Sequence, residues 1–115
     1  MNRLSRLKLT PVERKAISAF SRRLKKLLRN QLLSIKLFGS KVRGDHHKDS
    51  DIDIYVIVKK KTIKVHYKIA EIDADVYDKY EVFLSPVVYS EYEEQKNLEM
   101  HSFFFEAVQK EGIPL

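Results

Sequence analysis

Two aspartates one residue apart, Asp51 and Asp53, open the apolar run IDIYVIV, and ten residues separate them from Gly39-Ser40, which closes the run LLSIKLF. Side chains alternate across a strand, so Asp51 and Asp53 project from one face about 7 Å apart along the chain, while Ile52 and Ile54 point the other way into a core. Two ionised carboxylates at the mouth of an apolar strand repel each other and lose solvation, which is costly unless a cation sits between them. The chain has no cysteine, so the donors are hard oxygens, and these favour Mg²⁺ or Mn²⁺ over zinc. Gly39 allows a tight turn and close backbone approach. The Ser40 hydroxyl and the N–H groups of a following short helix suit phosphate oxygens. Arg43 adds a cation and Gly44 permits the next turn. Together these residues could grip a nucleoside triphosphate beside a metal that polarises its α-phosphate, which is what in-line nucleotidyl transfer needs.

The elements that must position this constellation are legible from pattern. In TPVERKAISAFSRRLKKLLRN, Thr10 is the expected N-cap, Pro11 the first helical residue and Glu13 the partner in a capping box. Val12, Ala16, Phe20, Leu24 and Leu28, with Ile17 and Leu27 beside them, make one apolar stripe and leave Arg and Lys on the other face. LLSIKLF reads as a strand with Ile35 and Leu37 on one face, and IDIYVIV as a second strand, central and buried. Thr62 caps a helix whose apolar side is Val65, Ile69, Ile72 and Val76. EVFLSPVVYS is a third strand, set at an edge or carrying a bulge because Pro86 has no N–H to donate. Ser90 opens another capping box, and SFFFEAVQKEG is a last helix stopped by Gly112. Three strands alternating with helices give an α/β (α+β) domain, and residues 1–115 form one unit with no internal repeat.

The pattern Gly39-Ser40, ten residues, then Asp51-Ile52-Asp53, with Arg43-Gly44 and Ser50 inside it, resembles the DNA polymerase beta-type nucleotidyltransferase superfamily, and in particular its minimal nucleotidyltransferase (MNT) branch. The resemblance covers the whole chain and implies a small mixed sheet of at least three strands flanked by helices. It implies Mg²⁺-dependent (or Mn²⁺-dependent) transfer of a nucleoside monophosphate from an NTP to a hydroxyl. It further implies an antitoxin that pairs with a HEPN-type toxin, a helical RNase, and AMPylates a tyrosine of that partner using ATP. By the same resemblance Asp51 and Asp53 are the metal ligands and catalytic acids, Gly39, Ser40 and Ser50 belong to the nucleotide-binding segment, and Arg43 supports its turn. Active members place a third carboxylate on a following strand. The only acid at that strand here is Glu81, at its very start, where it is either that third catalytic group or a solvated strand-end acid.

Two other readings stay open beside this enzyme: a module that neutralises a HEPN RNase by contact while keeping the nucleotide pocket, and a transferase acting on a small molecule. Shortness argues against the latter. The net charge of +6 is a patch, because ten of the 22 Lys and Arg and one of the 16 acids lie in residues 1–30. Such a patch suits nucleic acid less than an acidic protein, since no aromatic platform and no base-reading motif accompanies it. A homo- or hetero-oligomer fits, with one of Phe103, Phe104 and Phe105 facing an interface or all three wrapped into a core. His46 and His47 read as solvated loop residues or as neighbours of the nucleotide base, and Arg43 alternatively pairs with Asp45 or Asp49. Lys59 to Lys61 read as a solvated strand end. The absence of cysteine, of a signal-like apolar block and of a membrane-length segment leads to the expectation of a soluble cytoplasmic protein.

Overall fold

The structure is a computed structural model that describes residues 3–45 and 50–115. His46, His47 and Asp49, considered above, lie outside the described residues. The first helix, α1, runs Pro11–Leu28, and both halves of its capping box form: Glu13 N–H donates to Thr10 Oγ1 (3.1 Å) and Thr10 N–H to Glu13 Oε1 (2.8 Å). Strand β1 spans Leu32–Phe38, the single-turn helix α2 spans Ser40–Arg43, and β2 spans Ile52–Val58. Helix α3 (Ile63–Tyr80) starts at the Thr62 cap and ends where Glu81 adopts φ 55°. That left-handed residue delays the next strand, so β3 covers Leu84–Ser90 rather than beginning at Glu81. Helix α4 (Glu91–Glu99) follows directly from the Ser90 capping box, then α5 (Phe103–Glu111).

The sheet has four strands in the order β3-β2-β1-β4, where β4 is the two-residue segment Ile113–Pro114 that the sequence pattern gave no sign of. It is mixed: β2 runs antiparallel to β1 and parallel to β3, and β4 runs antiparallel to β1. Pro86 accordingly lies on an edge strand, where its missing N–H faces no partner. Helices α1 and α3 cover one face, burying Phe20, Leu24, Ile69, Ile72 and Val76 against Ile52, Ile54, Val56, Leu37 and Ile35. The opposite face carries Tyr55 and Ile57 beneath Phe105 and Val108 of α5. Apolar residues on both faces explain why β2 is an unbroken apolar run past Asp53.

The three consecutive phenylalanines divide in a way that helical geometry requires. Phe105 is buried, and Phe104 packs edge-on to Phe38 with ring centroids 5.5 Å apart. Phe103 is 87% exposed.

Gly112 ends α5 without a left-handed turn, at φ −60°. A Cβ there would lie 2.5 Å from the Val108 carbonyl oxygen and 3.0 Å from Lys36 Cδ, so this glycine permits close approach as the chain drops beside β1. At a permissive φ, Gly→Ala ordinarily stabilises by about 0.4–1 kcal/mol through the unfolded chain. Here Gly112→Ala is expected to do the reverse and destabilise by about 1–3 kcal/mol, the range for overpacking, as read by urea unfolding. A variant at least as stable as the wild type would show that β4 does not need this close seat.

Candidate active site

The antiparallel register of β1 and β2 places Phe38 opposite Asp53, so the residue after β1 meets the Asp53 side chain. That residue is Gly39, at φ 82° and ψ −154°, a conformation that L side chains rarely adopt. A Cβ on Gly39 would collide with Asp53 Oδ2 and lie 3.1 Å from its Cγ. Glycine is thus required twice, for the backbone angle and for the volume that the carboxylate fills.

From there the chain turns into α2. The Val42 and Arg43 N–H groups donate to the Gly39 carbonyl (3.0 and 3.1 Å), Gly44 N–H donates to Ser40 O (2.8 Å), and Gly44 closes the turn at φ 81°. The amides at the start of such a turn have no intrahelical acceptor and suit an anion.

Asp51 is exposed and Asp53 half-buried. Burial raises the Asp53 pKa above the usual carboxylate value, the charge of Asp51 raises it further, and Arg43 partly offsets both. Phe38, which pairs with Asp53, and Tyr55, two residues further along the same strand face, pack edge to face at 6.2 Å, giving the carboxylate an apolar floor. Arg43 also makes a 3.3 Å exposed pair from Nε to Asp45 Oδ2, an ion pair worth little at the surface, while its charge acts on Asp53. Among the described residues no group of three or more His, Cys, Asp or Glu is placed to share a metal ion. Two carboxylates still fit Mg²⁺, which dehydrates reluctantly and completes its six oxygens with waters and substrate phosphates.

Ser50 and Glu81 come together elsewhere. With Thr10, Val12, Glu13 and Ile52 they line a hollow of about 430 Å³, bordered also by Val82 and the exposed Phe83. Since Ile52 belongs to the core face of β2, this hollow opens on the α1 side of the strand mouth, whereas Asp51 and Asp53 alternate to the other side. On β3 itself the residue in register with Asp53 is Ser85.

Two polar features escaped the sequence pattern. Lys41, one residue past Ser40, is 2% exposed with its Nζ 3.0 Å from Glu13 Oε2. The Tyr55 hydroxyl, also buried, donates to Glu94 Oε2 at 2.8 Å, and burial together with that carboxylate pushes its pKa far upward. Neither pair has a local spacing signal, because each joins elements remote in sequence.

Residues 22–109 match the family described as Polymerase beta, Nucleotidyltransferase. A "putative protein adenylyltransferase" of Methanocaldococcus jannaschii is 35% identical over 74 residues, covering 64% of this chain and 75% of that protein. A solved structure described as a putative minimal nucleotidyltransferase superposes with a TM-score of 0.58 at 23% identity, over 94% of this chain and 99% of the other. Another, described as a crystal structure of the toxin-antitoxin with AMP-PNP, gives a TM-score of 0.53 at 20% identity, over 83% and 68% of the respective chains. At these identities the two structures speak to the fold, which is that of a minimal nucleotidyltransferase.

An acid whose pKa is raised in the folded state costs stability once pH climbs through that pKa and it ionises. Asp51→Asn is therefore expected to lower the Asp53 pKa, followed by carboxyl NMR titration, and to raise the metal-free melting temperature at pH 7 by a few degrees. Millimolar Mg²⁺ or Mn²⁺ should stabilise the wild type and lose that effect in the variant. An unchanged Asp53 titration would mean that the two carboxylates do not interact.

Proposed function

The chain belongs to the Polymerase beta, Nucleotidyltransferase family, and from that premise we propose that it transfers AMP from ATP to a tyrosine hydroxyl of a HEPN-type toxin, as the antitoxin of the pair. The single observation that carries the reading is the contact of Asp53 with Gly39, which joins the carboxylate pair to the Gly39-Ser40 turn. A relative carrying the name of a protein adenylyltransferase supports a protein as acceptor. A fold neighbour crystallised as a toxin-antitoxin supports the pairing.

In this reading Asp51 and Asp53 hold Mg²⁺ or Mn²⁺, and the amides and hydroxyl of the Gly39-Ser40 turn hold the triphosphate. A metal bound there supplies positive charge to the α-phosphate and to the departing pyrophosphate. The acceptor oxygen forms a bond to the α-phosphorus as the bond to the bridging oxygen breaks, pyrophosphate leaves, and the acceptor's proton passes to a base. Arg43 adds charge beside the turn. Ser50 contributes to the nucleotide-binding segment, and Glu81 is the carboxylate proposed to take the acceptor's proton, a role that requires the acceptor to enter over the hollow on the α1 side of the strand mouth, across from the aspartates. The basic exposed face of α1 suits an acidic surface of the partner.

One observation favours a second reading. With Ser85 rather than an acid opposite Asp53, the domain could hold nucleotide and neutralise its partner by contact, turning over slowly or not at all.

Incubation with a HEPN-type toxin, ATP labelled at the α-phosphate and Mg²⁺ separates the two. Transfer predicts label on the partner, its loss in Asp53→Asn, and a rate about 10²–10⁴-fold slower with retained ATP binding in Glu81→Gln. An unlabelled partner that remains neutralised would establish the contact reading. Full activity in Glu81→Gln would return that residue to the solvent.

A further inference from the structure

A lysine one residue past a glycine-serine turn invites the reading that it touches phosphate. The structure turns it the other way. Lys41 is 2% exposed and its ammonium lies 3.0 Å from Glu13 Oε2, whose side chain is 14% exposed. The other oxygen of Glu13 accepts from the Thr10 N–H, so both carboxylate oxygens are engaged, one by the cap of α1 and one by α2. Burial alone would raise the Glu13 pKa, but the hydrogen bonds from Thr10 and Lys41 outweigh it and hold the carboxyl below its usual value. The ionised form of Glu13 is therefore favoured in its salt bridge with Lys41.

α2 is only four residues long, too short to hold its own conformation without tertiary anchors. Among its anchors, Val42 packs on the main core and Lys41 is tied to the start of α1. Apolar packing is non-directional, whereas a charge-assisted hydrogen bond is directional and so is the contact of the two suited to setting rotation about the end of β1.

We propose that the Lys41–Glu13 pair is a positioning device for the reaction: it sets the orientation of the Gly39-Ser40 amides toward the nucleotide, with Lys41 acting through Glu13 and not on phosphate. This rests on the nucleotide-binding reading of the turn, and it adds α1 to the machinery of the site. Because a buried ion pair contributes little net stability compared with neutral groups of similar shape, its presence beneath a functional turn is better accounted for by orientation than by folding energy.

Glu13→Gln, Lys41→Met and the double variant test this. Gln at that position still completes the capping box, so α1 keeps its start, and the double variant leaves no buried charge unpaired, which keeps it folded. Two measurements are made on each: amide hydrogen exchange across residues 39–44 without nucleotide, and the Kd for ATP with Mn²⁺. Faster exchange confined to the turn is expected in all three, with Kd raised on the order of tenfold in each and no further in the double variant, the mark of residues acting as one unit. Lys41→Arg should restore part of the affinity. Wild-type affinity in Glu13→Gln beside weak binding in Lys41→Met would make Lys41 a direct phosphate ligand and overturn the proposal, as would unchanged exchange in the turn. If the wild type fails to bind ATP while the exchange result holds, the nucleotide reading falls and the anchoring role stands alone.

Discussion

The site depends on the absence of one carbon atom. Asp53 occupies the volume where any side chain at position 39 would begin, and Gly39 in turn adopts a backbone angle that reverses the chain directly after β1. That contact follows from strand register: Phe38 opposite Asp53 leaves the next residue facing the carboxylate. A one-residue slip in β1–β2 pairing would send the aspartates to the face covered by α1 and α3. Burial of alternate isoleucines, Ile52 and Ile54, against those helices therefore holds the carboxylates in place as surely as any polar contact.

Electrostatics explains why such an arrangement persists in a domain of 115 residues. Asp53 is partly desolvated by burial and repelled by Asp51, so without a bound cation the pair is a source of instability, and Arg43 offsets only part of it. A divalent ion reverses the sign of that interaction. The same logic sets Glu13 apart. It also loses water, yet two hydrogen bonds more than compensate, and its carboxyl moves in the opposite direction. Two acids near one turn thus take opposite shifts, one raised by burial and a like charge and the other lowered by the hydrogen bonds and charge that the fold supplies.

Much of this was legible in residue order because the relevant signals are local. Thr10, Pro11 and Glu13 announce α1, Thr62 announces α3, and the change from helical to alternating spacing marks β1 and β2. The turn and its carboxylates are readable for the same reason, since glycine and alternate aspartates constrain their own neighbourhood. What could not be read lies across the fold. The Lys41–Glu13 bond joins residues 28 apart and looks, in sequence, like a capping acid and a loop lysine. β4 is two residues long and ends in proline, so it has neither the length nor the alternation that identifies a strand. Glu81 is the left-handed residue that ends α3 rather than the start of β3, which begins three positions later, and the register that puts Ser85 beside Asp53 is a tertiary fact. The family is identified by the local motif, whereas the chemistry that a particular member performs is decided by these non-local placements.

The most direct measurement is a crystal structure of the protein grown with Mn²⁺ and a nonhydrolysable ATP analogue, with the metal located by its anomalous scattering. The expected result is a manganese peak beside Asp51 and Asp53 with the triphosphate over the amides of Gly39 and Ser40. A peak in the hollow formed by Ser50 and Glu81, or a nucleotide bound away from the turn, would contradict it.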